Sequence, residues 1–292
     1  MDSKTITKEI ENLQSLENLA NAYARISSGR MKKTRDEVLV SRDFLFEIQA
    51  IFAELQASYR EEFLALARKK GFKNGQKITF LSHNGRSVAV FISANTSFYG
   101  DLTKKVFDMF LKDVREQHLE ATIVGNLGVS MFREAAPDKS YSYFDLPDYG
   151  FDREKMSELI KHLVQYEEIH IYYGKFKSII TQSPDKVVIS AQTTSLKSNK
   201  NVEIVKYLFE PSLEDILVFF EREMFSSIFE QTITESQLAK FASRMVAMDQ
   251  AGEKIRNELS TIKTTKLRMM HNLSNKKQLD FLSSVMAVRR TL

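Results

Sequence analysis

Apolar residues recur at helical spacing toward both ends of this 292-residue chain. In the C-terminal part they fall at Leu238, Phe241, Met245, Met248, Gly252, Ile255, Leu259 and Ile262, alternating three and four apart without a slip. That spacing predicts the heptad seam of a left-handed coiled coil, with Gly252 where a partner backbone can approach. Lys266 takes the next seam position, after which Met269 and Leu273 resume the series. Upstream, Leu213, Ile216, Leu217, Phe220, Met224 and Ile228 carry the same period from just after Pro211, with Ser212 as N-cap. The N-terminal part has stripes at Ile6, Ile10, Leu13 and Leu16, then at Phe44, Ile48, Ile51, Leu55, Tyr59, Phe63 and Leu66. Between them, Gly29–Lys33 is the weakest helical stretch.

The helix breakers respect the same division. All 4 prolines and eight of the 10 glycines lie between Gly71 and Pro211, leaving only Gly29 and Gly252 outside. Proline inside a helix costs about 3 kcal/mol and glycine about 1 kcal/mol relative to alanine, so both ends are free to form long helices. A helix of about 70–80 residues would run roughly 100–120 Å. The expected organisation is therefore an N-terminal helix over 1–70, a central domain over 71–211 and a C-terminal helix over 212–292. Both helices need a partner, and pairing antiparallel with each other is the simplest solution.

The centre reads differently. Lys77–Ser82 and Arg86–Ser93 are β-rich runs joined by His83-Asn84-Gly85, a hairpin signal. Asp101–His118 and Asp152–Tyr166 read as helices, and Ala121–Val124 and Glu168–Tyr173 as strands. Phe176–Thr181 and Lys186–Ala191 read as further strands around Ser183-Pro184-Asp185. Alternating strands and helices predict an α/β domain with a largely parallel sheet.

Such folds often bind nucleotides at strand-to-helix turns. The turn Ser93–Asp101 has neither a GxGxxG fingerprint nor a GxxxxGK[ST] loop, and Gly125-Asn126-Leu127-Gly128 is a two-glycine bend. The 5 histidines have no metal-ligand spacing, and nothing assembles a nucleophile, base and oxyanion donor. No catalytic residue, metal or cofactor is expected. With 0 cysteines there is no disulfide or thiolate chemistry. The longest apolar runs, Val88–Ile92 and Ile216–Phe220, are far short of the ~18 residues that span a bilayer. The charged start MDSKTITKEIENLQ lacks the apolar core of a secretory signal, so a cytoplasmic location is expected.

Charge is unevenly spread around a net of +4. Arg25, Arg30, Lys32, Lys33 and Arg35 stand together with no acid among them, and Lys254–Arg290 holds nine basic residues against Glu258 and Asp280. A solvated helix face explains such runs; so would an acidic protein partner, nucleic acid or an anionic membrane surface.

Several stretches carry a resemblance to the gamma subunit of F-type ATP synthases. Ser236–Met248, ending in Arg244-Met245-Val246-Ala247-Met248, resembles that family's SE-x-AARMxAM signature. Tyr207-Leu208-Phe209-Glu210-Pro211-Ser212 resembles its YxFEPS entry to the last helix, and Lys266-Leu267-Arg268 its NKxR turn. Arg30-Met31-Lys32-Lys33 resembles KMRK of its first helix, with Ser41-Arg42 following, and Ile123–Gly128 resembles its IGxKG loop. The order is kept along the whole chain. Differences fall at Asn18–Tyr23, Ser93–Leu102, Leu273–Leu279 and Arg289–Leu292.

The resemblance implies long antiparallel terminal helices flanking a Rossmann-like α/β domain, together forming a non-catalytic central-stalk rotor. It implies alpha and beta subunits around the coiled coil, epsilon and a membrane ring of c subunits at the foot, and no nucleic acid. It places the chain peripherally on the cytoplasmic face of the cell membrane, coupling ion translocation to ATP synthesis or hydrolysis. Arg30, Lys32, Lys33, Arg268 and Met269 are its implied contacts with the surrounding ring. The alternatives are a cytoplasmic coiled-coil scaffold and the rotor of a diverged rotary ATPase with non-standard partners.

Overall fold

A computed structural model describes residues 3–69, 83–190 and 212–290. In chain order it contains α1 (Ser3–Ser58), α2 (Arg60–Lys69), β1 (Ser87–Ile92), α3 (Leu102–Glu116), β2 (Glu120–Val124) and α4 (Asn126–Ala135). Then come β3 (Tyr141–Phe144), α5 (Arg153–Leu163), β4 (Glu168–Phe176), β5 (Gln182–Ser190) and α6 (Leu213–Arg290). Helix α6 runs 78 residues without a break, as its lack of proline allows. Ser212 starts it: the Ser212 hydroxyl accepts from the Asp215 N–H at 3.2 Å and donates to the Asp215 carboxylate at 2.6 Å, a reciprocal N-terminal cap.

Two compact units emerge from the contacts. One joins residues up to Ile26 with those from Arg244 onward; the other spans Ser27–Ser243. The second holds a five-stranded sheet in the order β3-β2-β1-β4-β5. Four strands are parallel and β5 is antiparallel to β4. The inner strand β1 is buried on both faces, as its run Val88–Ile92 requires. One face packs Val88, Val90, Ile169 and Ile171 against Leu159 and Leu163 of α5 and Phe225, Phe229 and Ile233 of α6. The other packs Phe91, Ile123 and Tyr172 against Phe107 and Phe110 of α3 and Phe132 of α4. A third cluster of Phe52 and Leu55 on α1 with Leu217 on α6 ties the two long helices together in this unit.

The sequence reading needs correction at four places. Both sides of β1 are taken by parallel strands, which leaves no free edge there for the hairpin read around His83-Asn84-Gly85; residues 77–82 lie outside the described residues. The chain reverses at 177–181, not at Ser183-Pro184-Asp185, with Lys177 N–H and Ser178 N–H both donating to Thr181 C=O. Pro184 lies within β5, opposite Gly174. It is tolerated because β5 is an edge strand, where a missing N–H breaks no inner ladder. Gly125–Gly128, read as a bend, opens α4, and β3 is a strand the reading missed.

Those two glycines are explained by close approach, of backbone at Gly125 and of side chains at Gly128. Gly125 has φ +96°, and a Cβ there would lie 2.8 Å from the Ala94 carbonyl carbon; one at Gly128 would lie 2.7 Å from Ser93 Cβ. The close approach lets Leu127 N–H reach Ala94 C=O at 2.8 Å and Gly125 N–H reach Phe144 C=O at 3.0 Å, knitting the ends of β1, β2 and β3. Gly125→Ala should destabilise the chain by about 2–4 kcal/mol through backbone strain and overpacking. Gly29→Ala, where a Cβ meets nothing within 4 Å, should instead be neutral or stabilise by up to about 1 kcal/mol. Thermal or urea melting of the two variants checks both signs.

Candidate functional site

The features that could act on a partner are the paired helices, the exposed end of α6 and the pole of the sheet where the parallel strands end. In the smaller unit the pairing of α1 with α6 runs antiparallel. The Arg244 guanidinium lies 5.7 Å from the Tyr23 ring centroid, Gly252 faces Asn21, and Arg256 meets Glu17 at 3.7 Å. Within the larger unit α1 and α6 also pair antiparallel, with Arg42 beside Glu235 and Phe52 beside Phe220.

Among the predicted seam positions of α6, Leu238, Phe241, Gly252 and Leu259 are buried, and Met245, Met248, Ile255 and Ile262 are partly buried. Lys266 and Met269 are partly buried, whereas Leu273 is exposed. A Cβ at Gly252 would meet Asn21 Oδ1 at 3.6 Å, an ordinary contact. Glycine is therefore not needed there for close approach.

The seam of α1 differs more from the reading. Ile6 is buried, but Leu16 is 51% exposed, and Phe44 and Ile51 are exposed as well. Ile48 and Leu55 are buried as expected, and the buried series is completed by Ala20, Ser27, Thr34, Val38 and Phe52, which the reading did not include. Ala20, Ser27 and Thr34 stand seven apart, so the signal was a heptad of small residues. Small side chains fill little space, so they admit bulky neighbours from α6. They also have a cost: the Ser27 and Thr34 hydroxyls are buried without a hydrogen-bond partner among the described residues.

Of the implied contact residues, Lys32, Lys33 and Arg268 are exposed, and Met269 is partly buried. Arg30 is engaged within the chain: its guanidinium lies 4.9 Å from the Tyr149 ring centroid and 5.9 Å from that of Phe241. Lys33 Nζ also approaches Tyr149, at 5.6 Å. Toward the end of α6, every residue from Met270 to Ser283 is exposed, including Leu273, Leu279, Phe281 and Leu282. A helix face with this much exposed apolar surface marks an interaction site. Lys276 and Lys277 give the same segment positive charge, and Lys263 and Arg268 precede it.

Doubly wound folds hold ligands outside the carboxyl ends of their strands. Here α6 packs against the ends of β1 and β2. Ile233, Gln237 and Lys240 pack against Ser93, Gly125 and Pro147 and leave a cavity of about 10 Å³, room for roughly one water. The loops around it are bound to each other. Asp148 accepts from Asn95 N–H at 2.8 Å, from Thr96 N–H at 2.9 Å and from the Thr96 hydroxyl at 2.6 Å, while Asn95 Nδ2 donates to Asp145 at 2.8 Å. The pole is built for rigidity. Among the described residues no group of His, Cys, Asp or Glu could hold a metal ion, and no helix is long and apolar enough to cross a membrane.

One buried acid opposes this packing. Glu235 of α6 is almost fully buried, and its Oε1 stands 3.6 Å from Arg42 Nη2, beyond hydrogen-bond range. Burial pushes its carboxyl upward, while Arg42 and Lys175 pull it back. With the folded pKa above the ordinary 4.5, the carboxyl's contribution to stability is fully present below 4.5 and is lost as pH rises through the folded value. Glu235→Gln should therefore raise the melting temperature by a few degrees at neutral pH. The gain should shrink toward pH 4. Melting curves of the two proteins across that range check the prediction.

Comparison with known proteins accords with this geometry. The family model described as ATP synthase matches residues 2–269. The ATP synthase gamma chain of Chromobacterium violaceum is 25% identical over 281 residues, covering 92% of this chain and 91% of that one. The gamma chain of Chloroherpeton thalassium is 21% identical over 304 residues, covering 99% and 98%. Among solved structures, the central stalk and c-ring of Tetrahymena thermophila mitochondrial ATP synthase superposes with a TM-score of 0.55 at 17% identity, over 80% of this chain and 99% of that one. A chain of the Euglena gracilis mitochondrial ATP synthase gives 0.53 at 14% identity, over 89% and 95%. At these identities the structures speak for the fold; the family match spans nearly the whole sequence, and the chain belongs to the ATP synthase gamma-chain family.

Proposed function

We propose that this chain is the central-stalk rotor of an F-type ATP synthase: a non-catalytic subunit that couples ion translocation to ATP synthesis or hydrolysis at the beta subunits. The observation that carries this reading is kinship with gamma chains along nearly the whole sequence, together with the segment Met270–Ser283 of α6, in which every apolar and basic side chain is exposed. Apolar burial is non-directional, so an enclosing sleeve of alpha and beta subunits can hold Leu273, Leu279 and Leu282 at any angle of rotation. Exposed ion pairs are worth about 0–1 kcal/mol each and can be exchanged as the shaft turns. Lys32, Lys33, Arg268 and Met269 are the proposed contacts with that ring; Arg30 supports them from its seat on Tyr149.

The segments 1–70 and 212–292 form the shaft in this reading, and 71–211 the foot. The foot meets epsilon and the ring of c subunits, which places the chain peripherally on the cytoplasmic face of the cell membrane. The rotor transmits force and does no chemistry. α6 packs against the ends of β1 and β2, on the side where such folds hold ligands, which supports that assignment.

Arg268 gives a direct test. Arg268→Glu should leave the melting temperature of the free chain nearly unchanged, since an exposed helix position shifts stability by about ±0.5 kcal/mol at most. Facing an acidic partner surface, the reversed charge should lower assembly or the ATPase rate of the reconstituted complex. A sharp fall in melting temperature would make Arg268 structural, and no change in either quantity would remove it from the bearing.

A further inference from the structure

Three side chains on one face of α6, at Gln237, Lys240 and Ser243, are nearly fully buried. All three donate to backbone carbonyls of the loops at the carboxyl pole of the sheet. Gln237 Nε2 donates to Pro147 C=O at 3.1 Å and Gly150 C=O at 3.2 Å, in the loop after β3. Lys240 Nζ donates to Ser93 C=O at 2.7 Å, at the end of β1. The Ser243 hydroxyl donates to Tyr99 C=O at 2.7 Å, in the loop leading to α3. The spacing of three and three keeps them on one side of the helix.

The acceptors are themselves immobilised. Ser93 N–H donates to Val124 C=O at 2.9 Å, and the loops after β1 and β3 are joined through Asp148. We propose that Gln237, Lys240 and Ser243 are a mechanical clamp that fixes α6 to the sheet, so that the foot and the shaft helix turn as one body. The inference rests on the rotor reading and names the load path within it. Apolar packing alone resists separation but is permissive of sliding and twisting, because it has no preferred direction. Directed bonds to four separate backbone carbonyls forbid both. A buried lysine charge is costly unless bonded, and the 2.7 Å bond to Ser93 C=O both meets that cost and holds the helix in one angular register.

The test uses the reconstituted ATP synthase with Lys240→Met or the milder Ser243→Ala in this chain, and Asp113→Asn as the control. Asp113 accepts from Tyr172 and Lys186 elsewhere in the domain, so its loss weakens the fold without touching the clamp. Both clamp variants should keep ATP hydrolysis while the protons pumped per ATP fall severalfold, and Asp113→Asn should leave that ratio unchanged. In the free chain, amides of residues 95–99 should exchange about tenfold faster in the clamp variants than in the parent. An unchanged pumping ratio in both clamp variants, or an equal fall with Asp113→Asn, overturns the proposal. Should the parent complex itself fail to couple, the rotor reading falls instead, and unchanged exchange in the loop would remove the clamp on its own.

Discussion

Neither long helix can leave its apolar stripe in water, and that constraint organises the molecule. Isolated helices gain little from propensity alone, and their stability comes from packing an apolar face. α1 and α6 meet the requirement with each other, antiparallel, through Arg256 beside Glu17 in the smaller unit and Phe52 beside Phe220 in the larger. The α/β domain is inserted between them in sequence, so its sheet grows on the same helix it must later be joined to. Phe225, Phe229 and Ile233 supply that junction by continuing the α6 stripe into the core of the sheet.

A single helix thus serves three surroundings along its length. Its first turns pack on α1, Phe225–Ile233 enter the domain core, its middle pairs with α1 again, and Met270–Ser283 is exposed. The change of surroundings matches the change of sequence: large apolar residues, then a three-four seam, then apolar and basic residues intermixed. In the proposed function this is the sequence from foot to shaft to bearing. Lys240 and Gln237 lie at the carboxyl ends of β1 and β2, on the side of the sheet where other doubly wound domains hold ligands; in the proposed clamp they join helix to sheet.

Much of this was legible in the sequence because it was written in large residues and in the absence of breakers. The α6 seam from Leu238 to Met269, the helices α3 and α5 and the inner strands follow from periodicity. The seam of α1 was harder to read, since Ala20, Ser27 and Thr34 give no apolar signal and only their seven-residue repeat marks them. Farther along, Ile48 and Leu55 of the expected stripe are buried together with Phe52, while Phe44 and Ile51 are exposed. Tertiary context also overrode punctuation: Gly125 and Gly128 mark a tight contact that opens a helix, and Pro184 is accepted on an edge. The clamp carbonyls could not be foreseen, because backbone acceptors leave no mark on side-chain identity.

The absence of native cysteine permits a clean measurement of the central claim, that α1 and α6 form one antiparallel shaft. Cysteines introduced at Asn21 and Gly252, where a Cβ built on Gly252 lies 3.6 Å from Asn21 Oδ1, should form an intramolecular covalent bond through a short bifunctional thiol reagent, which does not need the Cβ contact of a disulfide. In the assembled enzyme that bond lies within the rotating body, so the account predicts near-complete cross-linking with no loss of ATPase activity. Failure to cross-link in the folded chain, or cross-linking that stops turnover, would contradict it.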